Sequence, residues 1–326
     1  MILIVTNKQD YTADFLILEL RRRGVDYVRF NTEDFPQAVD LLIEIDNGGL
    51  AGQLRIYNRS VALGEIHSIW YRRPLPSESA KQLMDPGARE LVITESRETL
   101  EGLWRTMPCF WISHPDSIRT AESKLLQLKT ASLLGFTIPR TLVTNSPHAA
   151  ESFYNRNAGQ VVYKPQRYGR VIRGDTVSLI YTNLIEEYHV EHFAAVQLAP
   201  VLFQPYVPKM VEVRVVVVGD RAFAVELRSQ EILAARHDWR RVDPSELPHV
   251  VHELPSEVEA KCINLLRVLR LAFGAIDFIL TPEGEYIFLE INPNGQWAWI
   301  QQMCPDVHIR EALVDLLISG TASHER

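Results

Sequence analysis

The chain opens on Ile2-Leu3-Ile4-Val5, an unbroken apolar run that reads as a buried strand. Asp10-Tyr11-Thr12 then offers a cap to an amphipathic stretch through Arg23, Gly24 stops it, and residues 27–31 return to a strand pattern. The result is a β-α-β start. Residues 54–58, 61–63 and 66–71 alternate like strands at a sheet edge, and residues 86–107 carry helical spacing through Leu91, Leu100, Leu103 and Trp104. Residues 1–112 are therefore expected to form one α/β domain. No GxGxxG follows its first strand, so it carries no dinucleotide signature and reads as a scaffold or substrate-side domain.

After His114-Pro115-Asp116 the periodicity predicts one helix through Lys124, Leu125, Leu128 and Leu133 to Gly135, then strands at 140–144 and 161–164. Residues 166–175 are polar. A strand at 202–206 leads to Pro208, and 211–218 pairs with 222–227 through the Gly219-Asp220 turn. A helix starting at Ser256, with Glu257 and Glu259 in its first turn, is expected to end near Gly274. A second hairpin of 275–280 with 286–291 follows, and a last helix covers about 307–319.

With 326 residues the chain is long enough for two or three sub-domains around one cleft. Its 34 basic and 41 acidic residues give a net charge of −7, so neither bulk attraction to nucleic acid nor a nucleic-acid partner is expected. No membrane partner is expected either, since no run reaches the length of a span, and the start lacks the basic region of a signal peptide. Cys109, Cys262 and Cys304 show no CxxC spacing and argue for a reducing compartment, here the cytoplasm. His189 with His192 and His249 with His252 lack a third soft ligand, so zinc is not expected. There is no GxxxxGKS, which excludes a P-loop.

The chemistry gathers near the C-terminus. Strands containing GAIDFIL and YIFLEINPNG bring Asp277 close to Glu290 and Asn292, two residues apart and on one face. Two carboxylates and an amide oxygen, with room for phosphate and water, suit magnesium better than zinc. An acidic pair on strands otherwise apolar needs a partner or a metal.

Here the chain resembles the ATP-grasp superfamily, whose C-terminal strands carry an Asp and then Glu-x-Asn as metal ligands. The resemblance implies an ATP-grasp fold, α/β (α+β): a pre-ATP-grasp domain at 1–112, a central lobe at 113–205 with a phosphate lid and leader-binding segment, and a C-terminal lobe at 206–326 with the metal site. ATP and two magnesium ions are the implied cofactors. Lys124 in AESKLLQLK and Lys164 in VVYKP stand where the family places two lysines on the nucleotide phosphates, and ammonium groups suit that task. Gln204-Pro205-Tyr206-Val207 looks like the hinge that reads adenine. Glu212 and Arg214 in VEVRVVVVG resemble an acidic-x-Arg pair, with Glu212 near ribose and Arg214 on the transferring phosphate. Arg228 and Arg240 match further arginines of the superfamily's peptide ligases, and residues 166–174 should be a lid whose three arginines meet phosphate charge.

The whole chain, about 1–320, is similar to the microviridin-type ligases that macrocyclise ribosomal peptides. Its specific pieces are MILIVTNKQDYTADFLILELRRRG, SIWYRRP, HPDSIRTAESKLLQLK, FQPYVPKMVEVRVVVVG and FLEINPNGQW, in that order. The resemblance implies activation of Asp or Glu side chains of a precursor peptide as acyl phosphates, followed by attack of a hydroxyl or amine to give ester or amide cross-links. It also implies a homodimer, and a leader docked on 185–192, where Glu187 and Glu191 would meet basic residues. The competing reading is an ATP-grasp ligase joining a free amino acid to a peptide or small carboxylate.

Overall fold

The computed structural model describes residues 1–167, 169–174 and 176–320. The apolar start becomes β1 (Ile2–Thr6), buried throughout. Asp10 caps α1 (Tyr11–Arg22) by accepting from the backbone N–H of Thr12 at 3.1 Å and of Ala13 at 3.4 Å, a contribution of about 1 kcal/mol. β2 (Tyr27–Asn31) follows. A three-stranded meander comes next: β3 (Val39–Asp46), β4 (Gly49–Ile56) and β5 (Arg59–Ala62). The pattern showed only its later part, because β3 and the start of β4 alternate with exposed charge and glycine. β6 (Ser68–Tyr71), α2 (Pro86–Thr106) and β7 (Phe110–Ile112) complete a parallel sheet of order β2-β1-β6-β7. Ile2 and Ile4 on one face of β1 pack with Leu16 and Leu20 of α1. Leu3 and Val5 on the other face pack with Leu103 and Trp104 of α2 and with Leu54 and Val61 of the meander.

The single helix expected to run to Gly135 is two, α3 (Pro115–Ala121) and α4 (Lys124–Leu133). Ser123 between them is extended at ψ 109°, and the Gln127 side chain donates to the Ala121 carbonyl at 2.6 Å across the break. Lys124 thus becomes the first residue of a helix, redirected. β8 (Leu142–Thr144), α5 (Pro147–Arg156), β9 (Val161–Lys164), β10 (Arg170–Arg173), β11 (Thr176–Leu179), β12 (Asn183–Leu184), α6 (Glu187–Val190) and β13 (Val201–Pro205) form the next lobe. Its sheet runs β12-β9-β13-β8 and closes over its own core of Phe153, Val161, Ile185 and Phe203. The expected lid is a β10–β11 hairpin, with Gly174 at φ +57° between the strands; Tyr168 of that segment lies outside the described residues.

The last unit is an antiparallel sheet of order β16-β15-β14-β17-β18. In chain order it comprises β14 (Val211–Val218), β15 (Arg221–Leu227), β16 (His249–His252), α7 (Ser256–Val268), β17 (Phe273–Leu280), β18 (Tyr286–Asn292), α8 (Ala298–Met303) and α9 (Ile309–Ser319). All of β14 is buried because both its faces are covered. Val213, Val215 and Val217 meet Cys262 and Leu265 of α7, while Val216 and Val218 share the core of α9 and of β1. As expected, the helix starts at Ser256, but α7 stops six residues before Gly274. Arg270 at φ +55° ends it, and the Leu271 N–H returns to the Leu266 carbonyl at 2.8 Å.

Candidate active site

Along β14 the face that carries Val216 and Val218 continues to Arg214 and Glu212, so the strand that builds the core also delivers two charged groups to the cleft. Arg214 lies opposite Asp277, and Asp277 opposite Glu290. The pairing then slips: Phe278 faces Phe288, leaving Leu289 as an extra residue. This bulge turns Glu290 and Asn292 to the cleft while Phe288, of the same parity, stays in the α7 core. Asn292 Nδ2 donates to Asp277 Oδ2 at 3.2 Å and to Glu290 Oε1 at 3.5 Å. The three oxygen-bearing residues therefore converge.

Cations surround them. Lys124 Nζ donates to Glu290 Oε2, and Arg240 Nη1 lies 3.7 Å from Glu290 Oε1. Arg214 Nη1 donates to both Asp277 oxygens at 2.8 and 2.9 Å, its Nη2 donates to the Gln296 carbonyl at 3.2 Å, and its guanidinium lies 5.9 Å from the Trp239 ring centroid. Burial works to raise the pKa of Glu290, but Lys124, Arg240 and Lys164 outweigh it and hold the carboxyl well below its usual range. Burial raises Asp277 instead, with Arg214 opposing and the Glu290 charge reinforcing. Burial, then the charge of Lys124, lowers Lys164 from 10.5 to about 8.

A single cavity gathers most of the expected residues: Lys124, Lys164, Gln204, Tyr206, Val207, Glu212, Arg240, Asp277, Glu290 and Asn292 all line it. Gln204 is buried and donates to Thr141 Oγ1 at 2.8 Å. Arg214 sits just behind the lining, on Asp277. Arg228 is not brought to the cavity; it lies just past the end of β15, is half exposed, and faces Glu226 and Glu231 at 3.8 and 3.7 Å. Glu187 and Glu191 lie on the exposed surface of and just beyond α6, away from the lining. Of the three lid arginines only Arg167 reaches the wall, where it pairs with Glu122 at 2.7 Å.

Several residues went unread. Lys209 lines the cavity and donates to Glu212 Oε1 at 2.6 Å, which opposes the upward push of burial on that carboxyl. Buried Asp238 fixes Arg240 through bonds of 2.8 and 2.6 Å. Arg73 lines the wall, and Arg72 behind it is buried, donating to Gln296 Oε1 at 2.6 Å and to the Asn294 and Gly295 carbonyls. Their signal was present as two arginines closing the apolar SIWY strand.

Residues 1–119 match the family model of the MvdD pre-ATP grasp domain. Among solved structures, the chain is similar to a RiPP-associated ATP-grasp ligase of Chryseobacterium gregarium in complex with ADP and a leader and core peptide, at 31% identity and TM-score 0.91 over 98% of this chain and 97% of that one. The macrocyclase MdnC of Microcystis aeruginosa MRC, bound with precursor peptide MdnA, matches at 27% identity and TM-score 0.86 over 98% and 99%. The macrocyclase MdnB of the same organism matches at 31% and 0.79 over 98% and 99%. No curated protein matches the sequence significantly. Likeness over the full length, together with the cleft just described, shows that the chain belongs to the RiPP-associated ATP-grasp ligases, which include the microviridin macrocyclases, and is an ADP-forming ligase with the ATP-grasp fold.

Proposed function

We propose that this enzyme cross-links side chains within a ribosomally made precursor peptide, spending ATP to activate a carboxylate. The observation that carries the reading is the convergence of Lys124, Arg214 and Arg240 on the Glu290–Asp277 pair, in a cavity that also contains the hinge residues Gln204, Tyr206 and Val207. It is supported by the leader and core peptide held by the Chryseobacterium ligase and by MdnA held by MdnC.

A peptide carboxylate oxygen bonds the γ-phosphorus as the bond to ADP breaks. A Ser or Thr hydroxyl, or a Lys amine, then takes the acyl carbon, phosphate leaves, and the proton passes to solvent. Lys124 and Lys164 neutralise phosphate oxygens, Arg214 holds the Asp277 carboxylate, and Arg240 stands beside Glu290. Asp277, Glu290 and Asn292 offer hard oxygen donors, a set that fits magnesium, and we assign them two ions. Magnesium would supply charge neutralisation at the phosphates. Gln204, Tyr206 and Val207 would take the adenine and Glu212 the ribose. The nucleotide would lie between lobes 113–205 and 206–326, behind a domain of residues 1–112. Glu187 and Glu191 would meet a basic leader. We also assign the enzyme to the cytoplasm, for which its three free cysteines speak, and to a homodimer.

The test is mass spectrometry. With ATP, magnesium and a short leader-bearing peptide rich in Thr, Ser, Asp and Glu, the wild type is expected to give products lighter by whole waters. Glu290→Gln should slow this by about 100-fold or more. Near-wild-type turnover would overturn the metal assignment, and gains of an amino-acid mass would move the enzyme to the free-amino-acid ligases.

A further inference from the structure

The strand register gives the cavity a direction. Glu212 lies opposite Ile279, Arg214 opposite Asp277, and Ala275 opposite Asn292. The cavity thus passes from Lys209 and Glu212, beside the hinge, across the Asp277–Glu290 pair, to Asn294 and Arg73. If the nucleotide base occupies the hinge end, the group that accepts its terminal phosphoryl must come from the Arg73 end, because attacking and leaving oxygens lie roughly in line.

Arg73 stands just past the carboxyl end of β6 in a parallel sheet, the edge at which open α/β sheets bind ligands. Its backbone is at φ +47°, left-handed and unfavourable for a residue with a Cβ. Neighbours enforce that conformation: Asn7 Nδ2 donates to the Arg73 carbonyl at 2.8 Å, and Arg73 Nε donates to the Asn294 carbonyl at 3.1 Å. Arg72 next to it is fully buried and anchored on the same 294–296 loop. A strained, tethered backbone aims a planar guanidinium at the substrate end of the cavity, and that fork matches a carboxylate.

We propose that Arg73 binds the side-chain carboxylate of the peptide that is about to be phosphorylated, and so selects Asp or Glu at that end of the cavity. The inference rests on the ligase reading above. It makes the first domain part of the substrate site.

The experiment compares wild type, Arg73→Gly and Arg73→Lys with a short leader-bearing peptide rich in Thr, Ser, Asp and Glu, with ADP, and by melting. Glycine accepts the left-handed backbone without penalty, so Arg73→Gly should melt at or above the wild-type temperature. Its ADP affinity should stay within about twofold of wild type, while kcat/KM for the peptide falls about 10- to 100-fold, the loss of a charged hydrogen bond. Arg73→Lys should recover part of that loss. Peptide turnover by Arg73→Gly within about twofold of wild type, or an ADP affinity that falls in step with it, overturns the proposal and leaves the ligase reading intact. A wild type that removes no water from the peptide overturns that reading, and this proposal with it.

Discussion

Lys164 ends β9 with its ammonium in the cavity and Lys124 nearby, and burial followed by that like charge brings its pKa to about 8. The free protein therefore loses this proton as pH rises through about 8. A bound polyphosphate favours the charged form and pulls the proton back. Two consequences follow from the sign. ATP affinity should fall about tenfold between pH 7 and pH 9, since at the higher pH one proton must be taken up against about one pK unit. Calorimetry near pH 8.5 in two buffers of different ionisation enthalpy should show proton uptake, and Lys164→Met should abolish it. An affinity that does not change over this range would remove Lys164 from the phosphates. At this scale much of the cavity was legible, because Asp277, Glu290, Asn292 and Lys164 are charged or polar residues on stretches otherwise apolar, and burial makes such residues conspicuous, whereas Lys124, in the polar stretch AESKLLQLK, was read from the family resemblance alone. Arg228 read equally well but lies just past β15 with its side chain towards Glu226 and Glu231 rather than among the cavity-lining residues. Arg240 reaches Glu290 through its tie to Asp238, which no spacing discloses.

The bulge at Leu289 shows why elements were harder to read than residues. In Tyr286-Ile287-Phe288-Leu289-Glu290-Ile291-Asn292 the odd and even positions imply one face for Phe288 and Glu290, yet Phe288 is core and Glu290 is cleft. Strict alternation cannot express a shifted register, so the bulge became visible only with the partner strand. The same holds for the β10–β11 hairpin, whose apolar side chains are mostly exposed, and for α8, which follows a turn directly. The turn after Asn292 is the element on which the site leans most. A Cβ on Gly295 would sit 2.5 Å from the Ala275 Cβ and 2.9 Å from Arg214 Nη2. Gly295→Ala is therefore expected to destabilise the fold by about 1–3 kcal/mol. Because Arg214 must move, it should also weaken turnover beyond what the fraction unfolded explains, as read from melting curves and peptide kinetics together. Wild-type melting with wild-type turnover would show that the turn yields without disturbing Arg214.

Across the whole molecule, the boundary that the sequence pattern draws after residue 112 is not a boundary of the core. Trp70 and Ile112 of the parallel sheet, Leu16 and Leu20 of α1, and Trp297, Leu313 and Leu317 of the C-terminal region belong to one buried cluster. Ser68 Oγ donates to the Leu317 carbonyl at 2.6 Å, and Arg72 spans to the 294–296 loop. Hydrophobic pattern reports that a face is apolar but not which distant element covers it. The faces of α1 and α9 were each legible, whereas their contact was not. The lobe around β9 and β13, with a core of its own, is built differently. A chain beginning at residue 113 would expose α9 and Trp297, at about 1.5–3 kcal/mol for each large apolar side chain returned to water. A handful of such side chains matches a typical total stability of about 5–15 kcal/mol. This shortened chain is therefore expected to aggregate or bind hydrophobic dye, to melt without a cooperative transition, and to bind no ADP. A soluble monomer with a sharp transition within a few degrees of the full chain would mean that α9 finds other cover. The domain carrying Arg72 and Arg73 would then be an appended unit rather than part of the core on which the turn after Asn292 rests.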